Sequence, residues 1–140
     1  MSQKNISQAG INKLFQNKKP FDMVKEWMEL AGQQVPSEEL ADTGYNEQAN
    51  LYADLIDEEF NEFMAAFGMK DEVEQLDAVC DIIWVCAGYA HSKGWDLNKA
   101  FAEVGRSNYS KFPTTKDPKT GKVLKSKNFS PPDLKKLISN

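Results

Sequence analysis

The chain has 140 residues, of which 41% are hydrophobic, and its formal net charge is −4. This length suits one domain with a sizeable core, and no apolar run reaches the roughly 20 residues that span a bilayer. Segment 1–19 is polar and lacks the apolar stretch of a signal peptide. We therefore expect a cytoplasmic protein without a membrane partner. The single histidine and two cysteines give a zinc or iron site little to build on.

Charge is divided unevenly along the chain. Residues 1–105 hold 8 Lys+Arg and 19 Asp+Glu, a balance of −11, whereas residues 106–140 hold 9 and 2, a balance of +7. Such asymmetry is typical of nucleic-acid-binding tails. It is also expected of a basic segment that folds over an acidic metal site and holds a substrate's phosphates. The short tail contains three aromatic residues, so nucleic-acid binding is the weaker interpretation.

Helical periodicity dominates the chain, and strand signals are weak. The predicted helices are 21–32, 46–67, 71–92 and 97–109. Segment 33–44 is expected to be a loop, Asp96 to cap the fourth helix, and 117–121 to form a turn. The pattern predicts an all-α bundle of about four helices with a basic, largely irregular C-terminal arm. We expect one domain over 1–140, with its core at about 20–112 and the arm at 113–140.

Two acidic clusters lie on the second and third predicted helices. Their members are Glu58, Glu59 and Glu62, then Glu74, Asp77 and Asp81. Residues three and four apart share one face of a helix, so an antiparallel pair of helices joined by a turn at 68–70 would bring up to six carboxylates together. Carboxylates that close repel one another unless a cation lies between them. Oxygen ligands favour a hard cation, and we expect Mg²⁺ or Mn²⁺.

A solvated helix face is the usual role of such acids, but their surroundings here favour a site. Helical geometry places Asp77 and Asp81 inside the apolar surface, beside Trp84. A buried carboxylate without a partner costs several kcal/mol. Residues 26–69 and 71–92 contain no Lys or Arg, so the compensating charge must come from the arm, another subunit or a metal. The two cysteines, Cys80 and Cys86, are expected to be small buried core residues.

The acidic motifs carry a family resemblance. The segment LIDEEFNE at 55–62, followed by EQLD at 74–77, resembles the EExxE…ExxD signature of the all-α nucleoside triphosphate pyrophosphohydrolases, the MazG-like superfamily. Further motifs resemble the phosphoribosyl-ATP-pyrophosphohydrolase-like branch that is common in bacteria and phages, and they lie at 27–36, 81–96 and 106–134. The resemblance covers about residues 20–135.

The resemblance implies Mg²⁺-dependent hydrolysis of a nucleoside triphosphate, with a deoxynucleotide favoured, to the monophosphate and pyrophosphate. The role of such an enzyme would be nucleotide-pool control or house-cleaning, and it would act in the host cytoplasm if a phage encodes the protein. The resemblance also implies a dimer or tetramer. The expected metal ligands are Glu59, Glu62, Asp77 and Asp81, with Glu74, and as an alternative Glu58, as further ligands. We expect Glu58, Glu59 and Glu62 to carry catalysis, with Glu58 or Glu74 orienting the attacking water.

Two departures from the family pattern affect the site. Many MazG-like proteins place a Glu three residues before the position of Asp81, where this chain has Ala78. Glu74–Asp77 and Asp77–Asp81 therefore remain competing ligand pairs. The branch also often carries a basic residue near Tyr52, and this chain does not.

The expected substrate-binding residues are Trp27, Arg106, Asn108, Lys111 and Lys125. The cations and Asn108 would hold phosphate oxygens. Trp27, with Phe63 and Trp84, would stack on the base, although aromatic residues at helical spacing are more often core.

Several alternatives remain open at the level of sequence. A phosphoribosyl-ATP pyrophosphohydrolase or a dUTPase-like enzyme would use the same kind of helices and metals. A nucleic-acid-binding module would use the basic arm and would bind in a salt-dependent manner. A structural four-helix protein would pair its acids with the arm and would fold fully without metal.

Overall fold

The computed structural model describes residues 7–14, 16–36 and 46–138. Its helices within these ranges are α1 (Gln8–Leu14), α2 (Pro20–Leu30), α3 (Glu47–Gly68), α4 (Glu72–Ser92), α5 (Leu97–Tyr109) and α6 (Lys135–Ile138). The described residues contain no strand, only an isolated antiparallel bridge between Lys116 and Val123. The predicted all-α class is confirmed. No described helix is long and apolar enough to cross a membrane.

The four predicted helices correspond to α2–α5, with bounds that differ by at most two residues. The short helices α1 and α6 were not predicted, because neither has an extended apolar stripe. Segment 33–36 is irregular, as predicted for a loop, and the rest of the predicted loop at 33–44 lies outside the described residues.

Side-chain caps fix where the three long helices begin. Asn46, Asp71 and Asp96 each accept a hydrogen bond from the backbone N–H three residues further on, at 3.0–3.1 Å. Such caps satisfy one of the N–H groups that the first helical turn leaves unbonded. The predicted cap at Asp96 is confirmed.

Two compact units make up the described chain. The first contains α1–α4 and ends at Trp95, and the second begins at Asp96 and contains α5 and α6. The expectation of one domain over 1–140, with a core at 20–112 and an arm at 113–140, stays a prediction.

Helices α3 and α4 form an antiparallel hairpin within the first unit. At its open end, the Gln48 side chain donates to Ser92 Oγ at 2.8 Å. Near the turn, Gln75 donates to the carbonyl of Ala66 at 3.3 Å. The connection is only Met69–Asp71, where Lys70 takes a left-handed backbone with φ of 58°. The hairpin therefore holds the middle of α3 level with the middle of α4.

A small core holds this unit together. Its buried apolar residues are Val24, Met28, Ala49, Tyr52, Ala66, Ala78, Val85, Ala87 and Ala90. Five of these nine residues are alanine, and Tyr52 is the large side chain that α3 buries against α4. Helix α2 packs on α4 and adds Val24 and Met28, whose burial removes apolar surface from water.

Much of the predicted apolar surface of the hairpin is exposed. Phe60 and Phe67 of α3 are 52% and 61% exposed, and Ile83 of α4 is 48% exposed. The expectation that Cys80 and Cys86 are buried was wrong, since both are exposed. The reason is that α4 is apolar on nearly all sides, whereas α2 and α3 cover only part of its circumference.

The second unit continues from α5 into a tight turn. Asp117 Oδ1 accepts hydrogen bonds from the backbone N–H groups of Lys119 and Thr120, at 2.8 and 3.0 Å. These bonds lower the pKa of Asp117 below its ordinary value. Gly121, with φ of 71°, completes the turn. The predicted turn at 117–121 is therefore confirmed.

Candidate active site

The α3–α4 hairpin sets the relative positions of the two acidic clusters. Its cross-helix bonds pair Gln48 with Ser92 and Ala66 with Gln75, and between these two levels Glu59 comes opposite Asp81. Both carboxyl groups are partly buried, whereas the other acids of the clusters are exposed. The short turn thus places the two least solvated carboxylates at the same height of the hairpin.

Electrostatic coupling joins five of the six acids. Loss of solvent around the Glu59 carboxyl is the largest cause that raises its pKa above the ordinary value. The negative charges of Asp81, Glu62 and Glu58 raise that pKa further. Burial likewise raises the pKa of Asp81, and the charge of Asp77 adds to the effect. The structure therefore brings these five carboxylates into one negative cluster.

Glu74 is the sixth acid, and it lies one helical turn before Asp77 and farther from Asp81. It is exposed in the first turn of α4, where its backbone N–H is capped by Asp71. Seven residues separate it from Asp81, which corresponds to about 10 Å along the helix axis. Of the two competing pairs, Asp77–Asp81 is the one coupled to Glu59, through Asp81.

One oxygen of the cluster is left without a hydrogen-bond donor. Glu59 Oε2 is buried and, among the described residues, accepts no hydrogen bond. A carboxylate oxygen removed from water without a compensating bond is costly, and its neighbours here are negative. A proton, a cation or a donor from outside the described residues would satisfy such an oxygen.

The donor chemistry of the cluster fits a hard divalent cation, because all of its ligands are carboxylate oxygens. As the side chains stand, no group of three or more His, Cys, Asp or Glu in the described part of the chain converges closely enough to hold an ion. Glu58, Glu62 and Asp77 are exposed, and exposed side chains change rotamer within nanoseconds. These three side chains can therefore change direction while the helices keep their positions.

An apolar cavity of about 310 Å³ lies one helical turn beyond Asp81. Trp84 of α4 and Trp27 of α2 meet there edge to face, with ring centroids 5.7 Å apart. The residues that line the cavity are Ile11, Lys18, Met23, Glu26, Trp27, Leu30 and Trp84. Sequence analysis identified Trp27 but missed the ion pair that Lys18 forms with Glu26. Lys18 precedes α2 and lies eight residues before Glu26, so the pair lacks the three- or four-residue spacing that predicts an ion pair on a helix.

Arg106 belongs to the second unit, where its guanidinium is already engaged. Nε and Nη2 donate to the Glu103 carboxylate at 2.8–3.1 Å, and Nη2 also donates to the carbonyl of Pro131 at 3.0 Å. The same carboxylate accepts from the backbone N–H of Asp133 at 2.9 Å. Chiefly the Arg106 bond, and then the Asp133 bond, lower the pKa of Glu103 to about 2. These contacts attach residues 131–133 to α5.

The other predicted phosphate-binding residues also lie in the second unit and have local partners. Lys111 Nζ donates to Asn108 Oδ1 at 2.9 Å. Lys125 Nζ lies 4.4 Å from the centre of the Phe129 ring, a cation–π contact. Both contacts are exposed or partly exposed.

Comparison with known proteins gives one family match. The sequence model of the family described as phosphoribosyl-ATP pyrophosphohydrolase matches residues 23–108. The matched segment includes the α3–α4 hairpin with both acidic clusters, Trp27 of α2 and almost all of α5. No curated protein matches the chain. Lys111 and Lys125 lie beyond the matched residues.

Proposed function

From its membership of the phosphoribosyl-ATP pyrophosphohydrolase family, within the MazG-like all-α superfamily, we propose that the chain is an Mg²⁺-dependent enzyme. Its reaction would convert nucleoside triphosphates, deoxynucleotides in particular, to monophosphates and pyrophosphate. The observation that carries this proposal is the buried Glu59 oxygen that lacks a donor within a cluster of five coupled carboxylates. Family membership supports the coarser statement that the chain is a nucleotide pyrophosphohydrolase.

A negative cluster of this kind repels a polyphosphate unless a cation separates them. We propose Glu59, Glu62, Asp77 and Asp81 as the residues that hold Mg²⁺, or Mn²⁺ in its place. Bound Mg²⁺ would neutralise phosphate charge and lower the pKa of water. Glu74 would contribute only from its separate position at the start of α4, so we rank it last among the expected ligands.

The proposed hydrolysis also requires that a carboxylate accept the proton of the attacking water. In the proposed reaction an oxygen of water forms a bond to phosphorus, the phosphoanhydride bond breaks, and pyrophosphate leaves. The proton that water loses must be accepted by a base within hydrogen-bonding distance. We assign this role to Glu58, because it is exposed beside Glu59 and is coupled to it. Glu59 and Glu62 would fix the geometry around it.

We propose that cationic side chains neutralise the charge on the phosphates. Lys111 and Lys125 have contacts that a phosphate oxygen can replace, since a hydrogen bond or cation–π contact at an exposed site is weak. Asn108 would donate its amide once Lys111 turns to the substrate. Arg106 would act mainly by positioning 131–133, because its guanidinium already holds Glu103. Trp27 would contact the base.

The family description supplies a second candidate substrate. Phosphoribosyl-ATP contains the same kind of phosphoanhydride bond, so the acidic cluster would serve either substrate without change. The two candidates differ only in what lies beyond the triphosphate, and a substrate panel separates them.

A homo-oligomer is the assembly that we propose. Single exposed apolar side chains are normal on a protein surface. The hairpin exposes several large ones, namely Phe60, Phe67, Leu76, Val79 and Ile83. A second copy of the same hairpin would cover this surface through a two-fold contact. We propose that the protein acts on nucleotides in the cytoplasm. We do not propose nucleic acid as a partner.

The testing experiment is pyrophosphate release from a panel of NTPs, dNTPs and phosphoribosyl-ATP, with Mg²⁺ and with EDTA. Glu62→Gln removes one proposed ligand, and Glu72→Gln changes an exposed acid of α4 outside the cluster. We expect Mg²⁺-dependent release that Glu62→Gln abolishes and Glu72→Gln retains. No release from any substrate, by a folded protein that does not bind Mg²⁺, would overturn the proposal.

A further inference from the structure

Residues 113–128 of the second unit form a closed loop that is rich in lysine, which we call the lysine loop. Two contacts hold its base beside the end of α5. The Asn128 side chain donates to the carbonyl of Phe112 at 3.4 Å, and the backbone N–H of Ser130 donates to Ser110 Oγ at 2.8 Å. The loop therefore leaves α5 and returns to nearly the same point.

Backbone contacts also join the two sides of the lysine loop. Lys116 and Val123 form an antiparallel bridge, with a backbone hydrogen bond on either side of it at 2.9 and 2.8 Å. The tight turn at 117–121 closes the far end. All of these bonds lie within the second unit, so the second unit alone gives the loop its shape.

The ordered loop concentrates positive charge. It contains one acid and five lysines, all five exposed: Lys116, Lys119, Lys122, Lys125 and Lys127. The acid, Asp117, already accepts two backbone hydrogen bonds. In the described part of the chain, none of the five lysines forms an ion pair. Like charges held on one short loop repel, so a bound anion would relieve that repulsion.

An anion with several linked phosphates suits this loop better than a single phosphate ion. Each ammonium group is a compact donor on a flexible stem, and a chain of phosphates presents charged oxygens to several such groups at once. Single-stranded nucleic acid also presents phosphates, but it is usually held by aromatic side chains on which its bases stack. Residues 113–128 contain no aromatic residue. A nucleotide is the substrate that the family makes plausible.

We propose that the lysine loop is a binding site for the phosphate chain of a nucleotide and that it binds this chain without a metal ion. Lys116, Lys119 and Lys122 would hold it together with Lys125. The family match ends at residue 108, so it assigns no role to this loop. The inference rests on the proposed function for the identity of the ligand, but it does not require hydrolysis.

Inorganic tripolyphosphate in EDTA tests the site directly. The acidic cluster belongs to the other unit and repels a polyphosphate when no cation is present, so binding in EDTA reports the lysine loop. Calorimetry on the full chain compares tripolyphosphate with inorganic phosphate. We expect tripolyphosphate to bind at least about tenfold more tightly, because charge-assisted bonds form to several lysines. Its affinity should fall as salt rises from about 0.05 to 0.2 M.

Single-charge variants locate the site on the loop. Lys116→Gln, Lys119→Gln and Lys122→Gln should each weaken tripolyphosphate binding by about threefold, and the triple variant by about 20-fold, as expected for exposed charge pairs. Lys136→Gln makes the same change at an exposed lysine of α6 in the same unit. It should leave the affinity unchanged. Circular dichroism verifies that each variant keeps its helix content.

Asp117→Ala distinguishes an ordered site from general attraction by positive charge. The change removes the one acid of the loop, so charge alone would make binding tighter. It also removes the two hydrogen bonds that hold the turn. We expect binding to weaken by about threefold, because the lysines are then no longer held in place. Binding that is as tight as in the original chain, or tighter, overturns the ordered site.

The remaining outcomes separate this inference from the proposed function. Equal affinity for tripolyphosphate and phosphate, or an affinity that the triple variant keeps, overturns the site even when pyrophosphate release is confirmed. Loop-dependent binding in a protein that releases no pyrophosphate supports the site and counts against the reaction alone. A short oligothymidylate with as many phosphates as tripolyphosphate should bind more weakly. Tighter binding of this oligonucleotide would overturn the assignment to a nucleotide.

Discussion

Tyr52 packs its ring against Gly88 across the α3–α4 hairpin. A Cβ atom added to residue 88 would overlap three carbon atoms of that ring. The Tyr52 hydroxyl donates to Gln33 Oε1 at 2.6 Å, which fixes the ring in place, and burial raises the pKa of the hydroxyl. The absence of a side chain at Gly88 therefore sets the distance between the two helices that carry the acidic cluster.

Replacement of Gly88 by alanine should destabilise the protein by about 1–3 kcal/mol, because the buried ring cannot move aside without loss of its hydrogen bond. Urea unfolding would measure the effect. Gly105→Ala is the matched control, since Gly105 lies in α5 with open space around it. Alanine there should stabilise the helix by about 0.5–1 kcal/mol. Effects of the same sign at both positions would contradict the packing argument.

Glu59→Gln should separate the function of the acidic cluster from its stability. The folded state raises the pKa of Glu59, so it binds that proton more tightly than the unfolded chain does. In EDTA, the contribution of Glu59 to the free energy of unfolding is consequently greatest at low pH. It falls as pH rises through the ordinary pKa of a glutamate and then through the raised pKa of the folded state. The glutamine variant should melt higher than the original chain at pH 7 without metal, and its pyrophosphate release should drop at least about 100-fold.

The measurements are thermal melts in EDTA from pH 4 to 8, with Glu62→Gln alongside. Glu62 is exposed and lacks the buried oxygen of Glu59, so its replacement should raise the melting temperature less. A Glu59→Gln protein that melts lower than the original at pH 7 would show that the carboxylate has a stabilising partner.

Asp77→Asn and Glu74→Gln decide between the two candidate ligand pairs. Asp77 is coupled to Asp81, and Asp81 is coupled to Glu59, so loss of the Asp77 charge should weaken Mg²⁺ binding by about tenfold or more, as removal of a charged ligand does. Glu74→Gln should change it less than about threefold. Calorimetric titration with MgCl₂ measures both, and the opposite ranking would favour the Glu74–Asp77 pair.

The contact between Glu103, Arg106 and Asp133 should weaken only in strong acid. Because the folded state lowers the pKa of Glu103 to about 2, its contribution to stability is fully present above the ordinary carboxyl pKa of about 4.3. It is lost as pH falls toward 2. The NMR shift of the Asp133 amide proton, which donates to this carboxylate, should titrate with a midpoint near 2. A midpoint near 4 would mean that the contact is absent in solution.

Ile83→Glu should reduce the size of the proposed oligomer. Ile83 is exposed beside Phe60 and Val79, so a charge there would oppose burial by a second copy while leaving the helix intact. Sedimentation velocity at several concentrations would report the mass, and far-ultraviolet circular dichroism the helix content. Lys70→Glu, which reverses a charge at the exposed hairpin turn, should leave the mass unchanged. A monomer in the original chain would contradict the assembly.

Local signals account for what was predictable from the sequence. The bounds of α2–α5, the Asp96 cap and the turn at 117–121 depend on periodicity and on bonds between residues near each other in the chain. The meeting of Glu59 with Asp81 was also within reach, because a short turn between two strongly periodic helices leaves little choice of pairing.

Features that depend on distant partners could not be predicted in the same way. Apolar periodicity shows which face of a helix avoids water, but it does not say whether this chain covers that face, and so Cys80 and Cys86 were misplaced. The positive charge of Arg106 likewise predicted a phosphate-binding role. Its hydrogen bond to the Pro131 carbonyl could not be predicted, because it depends on how a segment 25 residues further along the chain packs on α5.

The three-residue connection between α3 and α4 also has a consequence for how the protein folds. It allows the acidic cluster to assemble from contacts between residues about 20 positions apart, and contacts of such short range form early and quickly. We therefore expect the carboxylates to meet while much of the chain is still unfolded, and their repulsion to oppose that step. Because the proposed cation would relieve this repulsion, divalent cations in the refolding buffer should accelerate folding.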